Sequence, residues 1–372
     1  MKRSLLLVTI CLTAAALALN GCSDNGGGTA DGVSTDGSAT DGSASTSGAK
    51  PVFSLAWSEY PSWSVFGVAD ELGLIDGDEG KFGEIEEKWG VDIVLKEAGY
   101  DSCLNLYSTS EVDAVCMTNM DALIHSANRD AVAILPTSTS NGADACIVVG
   151  IDDVEALKKH KIYGLEGTVS EYCFVRCIEE LGQKEEDYDF SNKDPAVAAV
   201  AMQTKDPAYQ AIMVWNPFVL QTLNERSDAK VLFDSTKIHG EIVDMVVIGK
   251  DALAKPGAKK FASAIIDTFY RMNEELADPD SGDDVLVALG KKFSSLGLDD
   301  MKIVVEQTQF YKTPDEGADL LNGDAFKTIM KTVEGFCVSH GLVKNPTVGY
   351  GSGQSAKLVF DASYIDEVKG KN

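Results

Sequence analysis

The body of the chain alternates short apolar runs with longer stretches in which apolar residues recur every three or four positions. Short runs rich in β-branched residues predict strands, and the periodic stretches predict helices. The predicted strands lie at 52–56, 91–96, 112–117, 131–135, 145–149, 162–165, 211–215, 230–233 and 242–248. Because strands that alternate with helices build βαβ units, the pattern favours an α/β protein with parallel sheets.

After Gly249 the pattern changes to longer helices. These are predicted at 258–277, 283–296 and 324–340. The chain thus has an early β/α part, a middle β/α part and a late helical part. This order indicates two lobes between which the chain crosses twice, near 143–148 and 243–248. We therefore expect 50–143 and 248–372 to form lobe I and 144–247 to form lobe II.

The N-terminus has the pattern of a secretory signal. Lys2 and Arg3 precede an apolar run over 5–19, which ends at Leu19-Asn20-Gly21-Cys22. The run is too short and wrongly flanked for a membrane span. A cysteine directly after glycine at such a site resembles a bacterial lipobox, so we expect 1–21 to be a signal peptide and Cys22 to carry the lipid. The alternative is a cysteine that follows a signal peptide by chance.

Residues 22–49 are almost entirely Gly, Ser, Thr, Ala and Asp. Such a composition buries too little apolar surface to offset the entropy of ordering the chain. It predicts a flexible tether between a membrane anchor and the folded body.

Charge and cysteine content limit the possible partners. The formal net charge of −26 argues against nucleic acid and anionic lipid as partners. The cysteines of the body lack the paired spacing of a metal site, so buried thiols are expected, with disulfide pairing left open and neither metal nor cofactor predicted. They are Cys103, Cys116, Cys146, Cys173, Cys177 and Cys337.

Candidate ligand-binding residues come from the loops at the carboxyl ends of the predicted strands, because ligands of open α/β sheets bind there. They are Trp57, Tyr60, Trp63, Asn119, Asp121, Asn141, Glu166, Ser170, Glu171, Trp215, Asn216, Glu241 and Asp244. Some have purely structural alternatives: Asp121 as a helix N-cap, or Trp57 and Trp63 as packing residues.

The charge of these loops indicates the class of ligand. The loops contain acids and aromatic residues but neither Lys nor Arg. Carboxylates and flat aromatic faces suit a cation, through charge-assisted hydrogen bonds and cation–π contacts. A small, planar nitrogen compound is therefore expected. Backbone N–H groups at helix N-termini keep a small anion open as the alternative.

Several segments, in order along the body, resemble the periplasmic binding proteins of ABC transporters encoded near urea carboxylases, within the nitrate/sulfonate/taurine-type group. The segments are 117–123, 140–142, 214–217, 240–244, 310–314, 339–342 and 357–364. The resemblance implies a type II periplasmic-binding fold whose lobes close about a two-strand hinge, without catalysis. Guanidine-like, amidine-like and urea-like compounds are the ligands it suggests. The segment 58–63 departs from the family by having fewer glycines.

The resulting prediction is a monomeric, lipid-anchored, extracytoplasmic binding protein that delivers its solute to an ABC transporter permease. The same fold also contains pyrimidine-precursor synthases, which use a cysteine-rich iron motif. Cys173-Phe-Val-Arg-Cys177 matches that motif poorly, so an enzyme is the less favoured alternative. A lipoprotein sensor domain with a signalling partner would share every binding feature and stays open.

Overall fold

The structure is a computed structural model that describes residues 49–292 and 296–369. The predicted signal peptide, the lipidation site Cys22 and residues 23–48 of the predicted tether lie outside the described residues. Residues 293–295 of the predicted helix 283–296 lie outside them as well. Within the described part of the chain, no helix has the length and apolar character needed to cross a bilayer.

Strands and helices alternate through the first two thirds of the body. The strands are β1 Val52–Trp57, β2 Asp92–Glu97, β3 Ala114–Thr118, β4 Ala131–Ser140, β5 Asp144–Val149, β6 Lys161–Gly164, β7 Asp189–Asn192, β8 Ala211–Trp215, β9 Ala229–Asp234, β10 Val243–Gly249, β11 Thr308–Phe310, β12 Val348–Tyr350 and β13 Leu358–Phe360. Every predicted strand is present to within a few residues, and the short strands β7, β11, β12 and β13 were not predicted.

The two longest described helices follow Gly249, as predicted. The helices are α1 Pro61–Glu71, α2 Glu84–Trp89, α3 Tyr100–Ser108, α4 Asn119–His125, α5 Val154–Leu157, α6 Val169–Glu180, α7 Pro195–Gln203, α8 Phe218–Glu225, α9 Lys250–Leu253, α10 Ala258–Ala277, α11 Gly282–Lys292, α12 Leu298–Gln307, α13 Pro314–Asn322, α14 Asp324–Ser339 and α15 Ser363–Lys369. The two longest are α10 and α14, but α11 to α13 and α15 are no longer than the earlier helices α1 and α6. Two 3₁₀ helices lie at Glu185–Asp187 and Ser235–Ile238.

The strands form two sheets. The first has the order β12-β13-β4-β10-β3-β1-β2, with β11 also paired to β4, and the second has the order β7-β6-β8-β5-β9. The expected parallel pairing is present in both sheets, as between β1 and β2 and between β6 and β7, but both sheets are mixed. β10 runs antiparallel to both β3 and β4, and β5 runs antiparallel to both β8 and β9. β5 is the first strand after the chain passes into the second sheet, and β10 is the first strand after it returns to the first sheet. Their antiparallel direction follows from these two crossings.

The chain passes from the first sheet to the second between Ser140 and Asp144, and returns between Asp234 and Val243. The predicted α/β fold with two lobes and two crossings is confirmed. All of β10 pairs within the first sheet, so residues 243–247 belong with the first sheet rather than with lobe II. The remaining lobe limits stay a prediction.

The central strands are buried on both faces. Every residue of β3, β4 and β10 is buried, because helices cover both sides of the sheet, and alternating polar positions are therefore absent from these strands. On the helical side, α10 buries Phe261, Ile265 and Phe269 with almost no exposure.

All six cysteines among the described residues are free and buried, as expected of core thiols.

Candidate ligand-binding site

An enclosed chamber lies between the two sheets. We call it the inner chamber, and all of its lining residues are buried: Tyr60, Trp63, Tyr100, Thr118, Asp144, Val169, Trp215, Ile242 and Asp244. It leaves about 10 Å³ for the centre of a water-sized sphere, which is room for roughly one water molecule. The chamber is therefore closed tightly around a very small space.

Strand pairing brings these residues together from distant parts of the sequence. In the second sheet, antiparallel pairing places Asp144 of β5 opposite Trp215 of β8. In the first sheet, Asp244 of β10 lies opposite Thr118 of β3. Trp215 and Thr118 are the last residues of their strands, so each of these acids lies level with the carboxyl end of the neighbouring strand.

Helix starts supply most of the aromatic rings. Tyr60 is the N-cap of α1, which has Pro61 in its first turn, where proline is well accommodated. Trp63 follows within the same turn, and Tyr100 is the first residue of α3. A helix that begins at a strand's carboxyl end thus directs its first side chains towards the ligand edge of the sheet.

The rings contact one another in sequence around the chamber. The centroids of Tyr60 and Trp63 are 4.8 Å apart, and those of Trp63 and Tyr100 are 5.4 Å apart in a stacked arrangement. Tyr100 meets Trp215 edge to face at 5.8 Å. Because Tyr100 belongs to the side of the first sheet and Trp215 to the second, this last contact joins the two lobes.

Asp244 is a buried carboxyl group. Ser138 Oγ donates to Asp244 Oδ2 at 2.6 Å and lies 2.8 Å from Ser62 Oγ. Burial raises the pKa of Asp244 well above its usual value, although the hydrogen bond from Ser138 acts in the opposite direction, and the negative charge of Asp144 raises it further. The same two carboxyl groups, together with burial, raise the pKa of Tyr60.

Asp144 is equally enclosed, with 3% of its surface exposed. Burial raises its pKa to about 6. Since none of the nine chamber-lining residues is a Lys or an Arg, no positive charge in the lining pairs with either carboxyl group. A buried, unpaired carboxylate is costly, so this lining favours protonated acids, and a bound cation would favour ionised ones.

Asp121 does not line the inner chamber, but it accepts hydrogen bonds from Tyr100 and Thr118, which do. Tyr100 Oη donates to Asp121 Oδ2 at 2.6 Å and accepts from the backbone N–H of Thr118 at 3.1 Å. Thr118 Oγ1 also donates to Asp121 Oδ2, at 2.9 Å. The N-cap of α4 is Thr118, so the alternative that Asp121 is the cap was wrong.

A second, open space adjoins the first. We call it the outer chamber; it leaves about 480 Å³ for water-sized spheres. Its lining includes three acids, Glu59, Glu97 and Asp194. Tyr100 and Trp215 line both chambers, and their ring contact lies between the two spaces.

Solved structures with a similar fold include binding proteins. The alkanesulfonate-binding protein of Xanthomonas axonopodis pv. citri, solved with MOPS bound, is 16% identical, with a TM-score of 0.63 over 80% of this chain and 96% of that one. The periplasmic nitrate-binding protein of Synechocystis PCC 6803 is 12% identical, with a TM-score of 0.58 over 86% of both chains. A Candida albicans gene product with the generic periplasmic-binding-protein fold is 14% identical, with a TM-score of 0.57 over 87% of this chain and 95% of that one.

This chain has the periplasmic-binding-protein fold. No protein-family model matches it, and none of the curated proteins does. The urea-carboxylase-associated family therefore stays a prediction. Proteins of this fold close their domains around ligands by hinge motion, which makes the inner chamber the candidate ligand-binding site.

Four of the predicted site residues line the inner chamber of this periplasmic-binding-protein fold: Tyr60, Trp63, Trp215 and Asp244. Trp57 does not, because its ring packs against α1, where a Cβ on Gly67 would lie 2.8 Å from it. Asn119 does not either. It donates to the Glu241 carbonyl and accepts from the backbone N–H of Val243, and so holds the second crossing in place.

The predicted acids of the second sheet have other partners. Glu241 accepts from Tyr172 at 2.6 Å and from Arg176 at 2.9 and 3.0 Å. Glu166 accepts from the backbone N–H of Asn192, and Glu171 accepts from that of Gly167. These carboxylates stabilise local structure outside the chamber.

The predicted polar residues also lie outside the chamber lining. Ser170 donates to the Met213 carbonyl, Asn216 donates to Gln307 at 2.8 Å, and Asn141 lies 3.3 Å from His239. Asn216 and Gln307 come from the two different lobes, so this bond belongs to the contact that keeps the lobes together.

Tyr100, Thr118, Asp144, Val169 and Ile242 also line the chamber and are not among the predicted site residues. All five had a usable signal. Thr118, Val169 and Ile242 directly neighbour predicted site residues, Tyr100 follows the predicted strand 91–96, and Asp144 lies at the first predicted crossing.

Proposed function

We propose that this protein is a solute-binding protein that captures a small organic cation of the guanidine or amidine class. The proposal is supported by the composition of the chamber lining. Two buried carboxyl groups, of Asp144 and Asp244, lie there together with four aromatic rings, and the lining contains no Lys or Arg. A cation with several N–H donors would satisfy both carboxylates, and the rings would cover its faces.

The energetic argument concerns charge compensation. Without a ligand, the two buried carboxyl groups lack solvation, which raises the pKa of both acids, and the negative charge of Asp144 raises the pKa of Asp244 further. A cation between them supplies the missing charge and donates hydrogen bonds to both carboxylates. Binding is therefore expected to release protons at mildly acidic pH.

A small anion is the second candidate, because the sulfonate- and nitrate-binding proteins named above share the fold. An anion would need donors, which ionised carboxylates do not supply. Protonated Asp144 and Asp244 would supply them. Anion binding would thus require these acids to take up protons, and this opposite proton linkage separates the two candidates.

We further propose that the protein is extracytoplasmic, anchored through lipid on Cys22, and delivers its solute to an ABC transporter permease. The fold, the signal-like N-terminus and the tether-like segment support this assignment. The two cysteines of the motif that would suggest an enzyme, Cys173 and Cys177, are buried within α6 and do not line the chamber, which favours binding over catalysis.

A thermal-shift screen is the first experiment, because a ligand that binds only the folded state raises its apparent stability. The compounds are guanidinium, acetamidine, urea, putrescine, nitrate and taurine. Calorimetry on Asp144→Asn and Asp244→Asn follows. Each change should weaken binding of the selected cation by about 1.5–3 kcal/mol, the usual contribution of a hydrogen bond to a charged group.

Glu166→Gln is the matched control, because it removes a carboxylate near a strand end without touching the chamber. It should bind like the wild type. If both chamber variants also bind like the wild type, the proposed function is wrong.

A further inference from the structure

Tyr100 and Trp215 are the residues that line both the inner and the outer chamber. Their rings meet edge to face with centroids 5.8 Å apart. One ring comes from each lobe, so closing the lobes brings them into contact and opening separates them. A ligand in the inner chamber is thus separated from the outer chamber by this pair of rings.

The position of the Tyr100 ring is fixed from three directions. Its hydroxyl donates to Asp121 at 2.6 Å and accepts from the backbone N–H of Thr118 at 3.1 Å. Its ring stacks on Trp63 with an interplanar angle of 14°. Asp121 is fully buried, which leaves little freedom for the tyrosine to swing aside. The Tyr100 side of the contact is therefore rigid.

The two spaces differ sharply in size. The inner chamber offers about 10 Å³ to a water-sized sphere, and the outer chamber offers about 480 Å³. Because the inner chamber has room for about one water molecule in this structure, a compact head of a few heavy atoms fits only if the lobes close around it slightly less tightly. A substituent longer than the head would have to pass between Tyr100 and Trp215, and would hold the two rings apart.

We propose that the Tyr100–Trp215 pair is a size filter and that Tyr100 is a specificity-determining residue of the site. It restricts the ligand to cations of a few heavy atoms and rejects those with a long substituent, because the substituent prevents the rings from meeting. This inference rests on the proposed function, since it specifies which small cations the same site accepts.

The test compares guanidinium with butylguanidinium by calorimetry. The wild type should bind guanidinium more tightly by about thirtyfold or more, since an ill-fitting hydrocarbon group costs an order of magnitude or more. Tyr100→Ala removes one side of the contact and should reduce this ratio about tenfold or more. Tyr100→Phe keeps the ring but loses the bond to Asp121 and should give an intermediate ratio.

Trp215→Phe is the second variant, in case Tyr100→Ala does not fold, and it should also reduce the ratio. Tyr107→Phe is the control on the same helix, since Tyr107 is buried outside both chambers, and its ratio should equal that of the wild type. If the wild type binds guanidinium but the ratio is unchanged in the folded Tyr100 and Trp215 variants, the size filter is wrong and the proposed function stands. If the wild type binds neither cation, the proposed function fails and the filter fails with it.

Discussion

Asp144 and Asp244 lie in different sheets yet line the same chamber. Burial raises the pKa of Asp244, and the negative charge of Asp144 raises it further. The two crossings of the chain create this pair, because Asp144 opens the first strand after one crossing and Asp244 lies in the strand that follows the other. The chamber therefore carries an electrostatic cost that a cation would relieve.

The first prediction concerns the stability of the ligand-free protein. A carboxyl group whose folded pKa is raised stabilises the fold below its unfolded pKa, and this contribution is lost as the pH rises through the folded pKa. For Asp144 the window runs from 3.8 to about 6. Asp144→Asn should therefore be more stable than the wild type at pH 8 by up to about 3 kcal/mol, with little difference at pH 4.

Urea denaturation at both pH values measures this difference. Asp251→Asn is the control, because Asp251 pairs with Arg129 at 2.8 Å and its pKa is lowered. That variant should lose stability at pH 8. A loss of stability at pH 8 in Asp144→Asn would show that the Asp144 carboxylate is not under electrostatic strain.

The second prediction concerns the aromatic rings. Trp215→Ala should weaken cation binding by about 0.5–2 kcal/mol, which is the range of a cation–π contact, and so by less than the loss of a chamber carboxylate. Trp57→Phe should leave the affinity unchanged, since Trp57 packs against α1 outside the chamber. Calorimetry on both variants measures their affinities for the cation. Equal losses of affinity in Trp215→Ala and Trp57→Phe would mean that the effect of Trp215 is one of general packing.

The third prediction concerns an ion pair between the lobes. His340 Nε2 lies 3.0 Å from both carboxylate oxygens of Glu185. Burial lowers the pKa of His340, but the hydrogen bonds with Glu185 and the Phe336 carbonyl outweigh it, so the net pKa is raised above 6.5. The stabilisation is thus fully present below pH 6.5 and is lost as the pH rises through the folded pKa.

His340→Gln should accordingly cost about 0.5–1 kcal/mol more at pH 5.5 than at pH 8.5, the size of a partly exposed ion pair. His160→Gln is the control, because His160 contacts an amide of Gln210 rather than an acid. Urea denaturation at the two pH values gives both numbers. A pH-independent cost in His340→Gln would mean that its role is steric.

The fourth prediction concerns the N-terminus. If Cys22 carries the lipid, mass spectrometry of the membrane-extracted protein should show a diacylglyceryl group on it, and Cys22→Ala should release the protein into the soluble fraction. An unmodified Cys22 in the native host would refute the anchor. Cys103→Ala, in the folded body, should leave the protein at the membrane, because its thiol is buried.

The sequence was sufficient for nine of the described strands, whereas the short strands β7, β11, β12 and β13 were not predicted. Apolar runs mark buried strands, and the rule that ligands bind at carboxyl ends led to Trp63, Trp215 and Asp244, which line the chamber. Strand direction was not accessible, since β5 and β10 are buried on both faces and their periodicity is the same in parallel and antiparallel sheets.

The acids of the chamber lining could be predicted only in part, since Asp244 was a predicted site residue and Asp144 was not. Glu241 was a reasonable candidate until the fold placed Arg176, 65 residues earlier in the chain, against it. Asp144 has no such partner within the chamber lining. The distinction depends on long-range pairing, which no local pattern encodes.

The most direct test of the cation site is a calorimetric titration of the wild type with guanidinium chloride and with sodium nitrate, at pH 5 and at pH 8, in buffers of different ionisation enthalpy. Since burial raises the pKa of Asp144 to about 6, the affinity for guanidinium should rise about tenfold or more from pH 5 to pH 8, with proton release at pH 5. Tighter binding of nitrate than of guanidinium, strengthening as the pH falls and accompanied by proton uptake, would contradict the cation site.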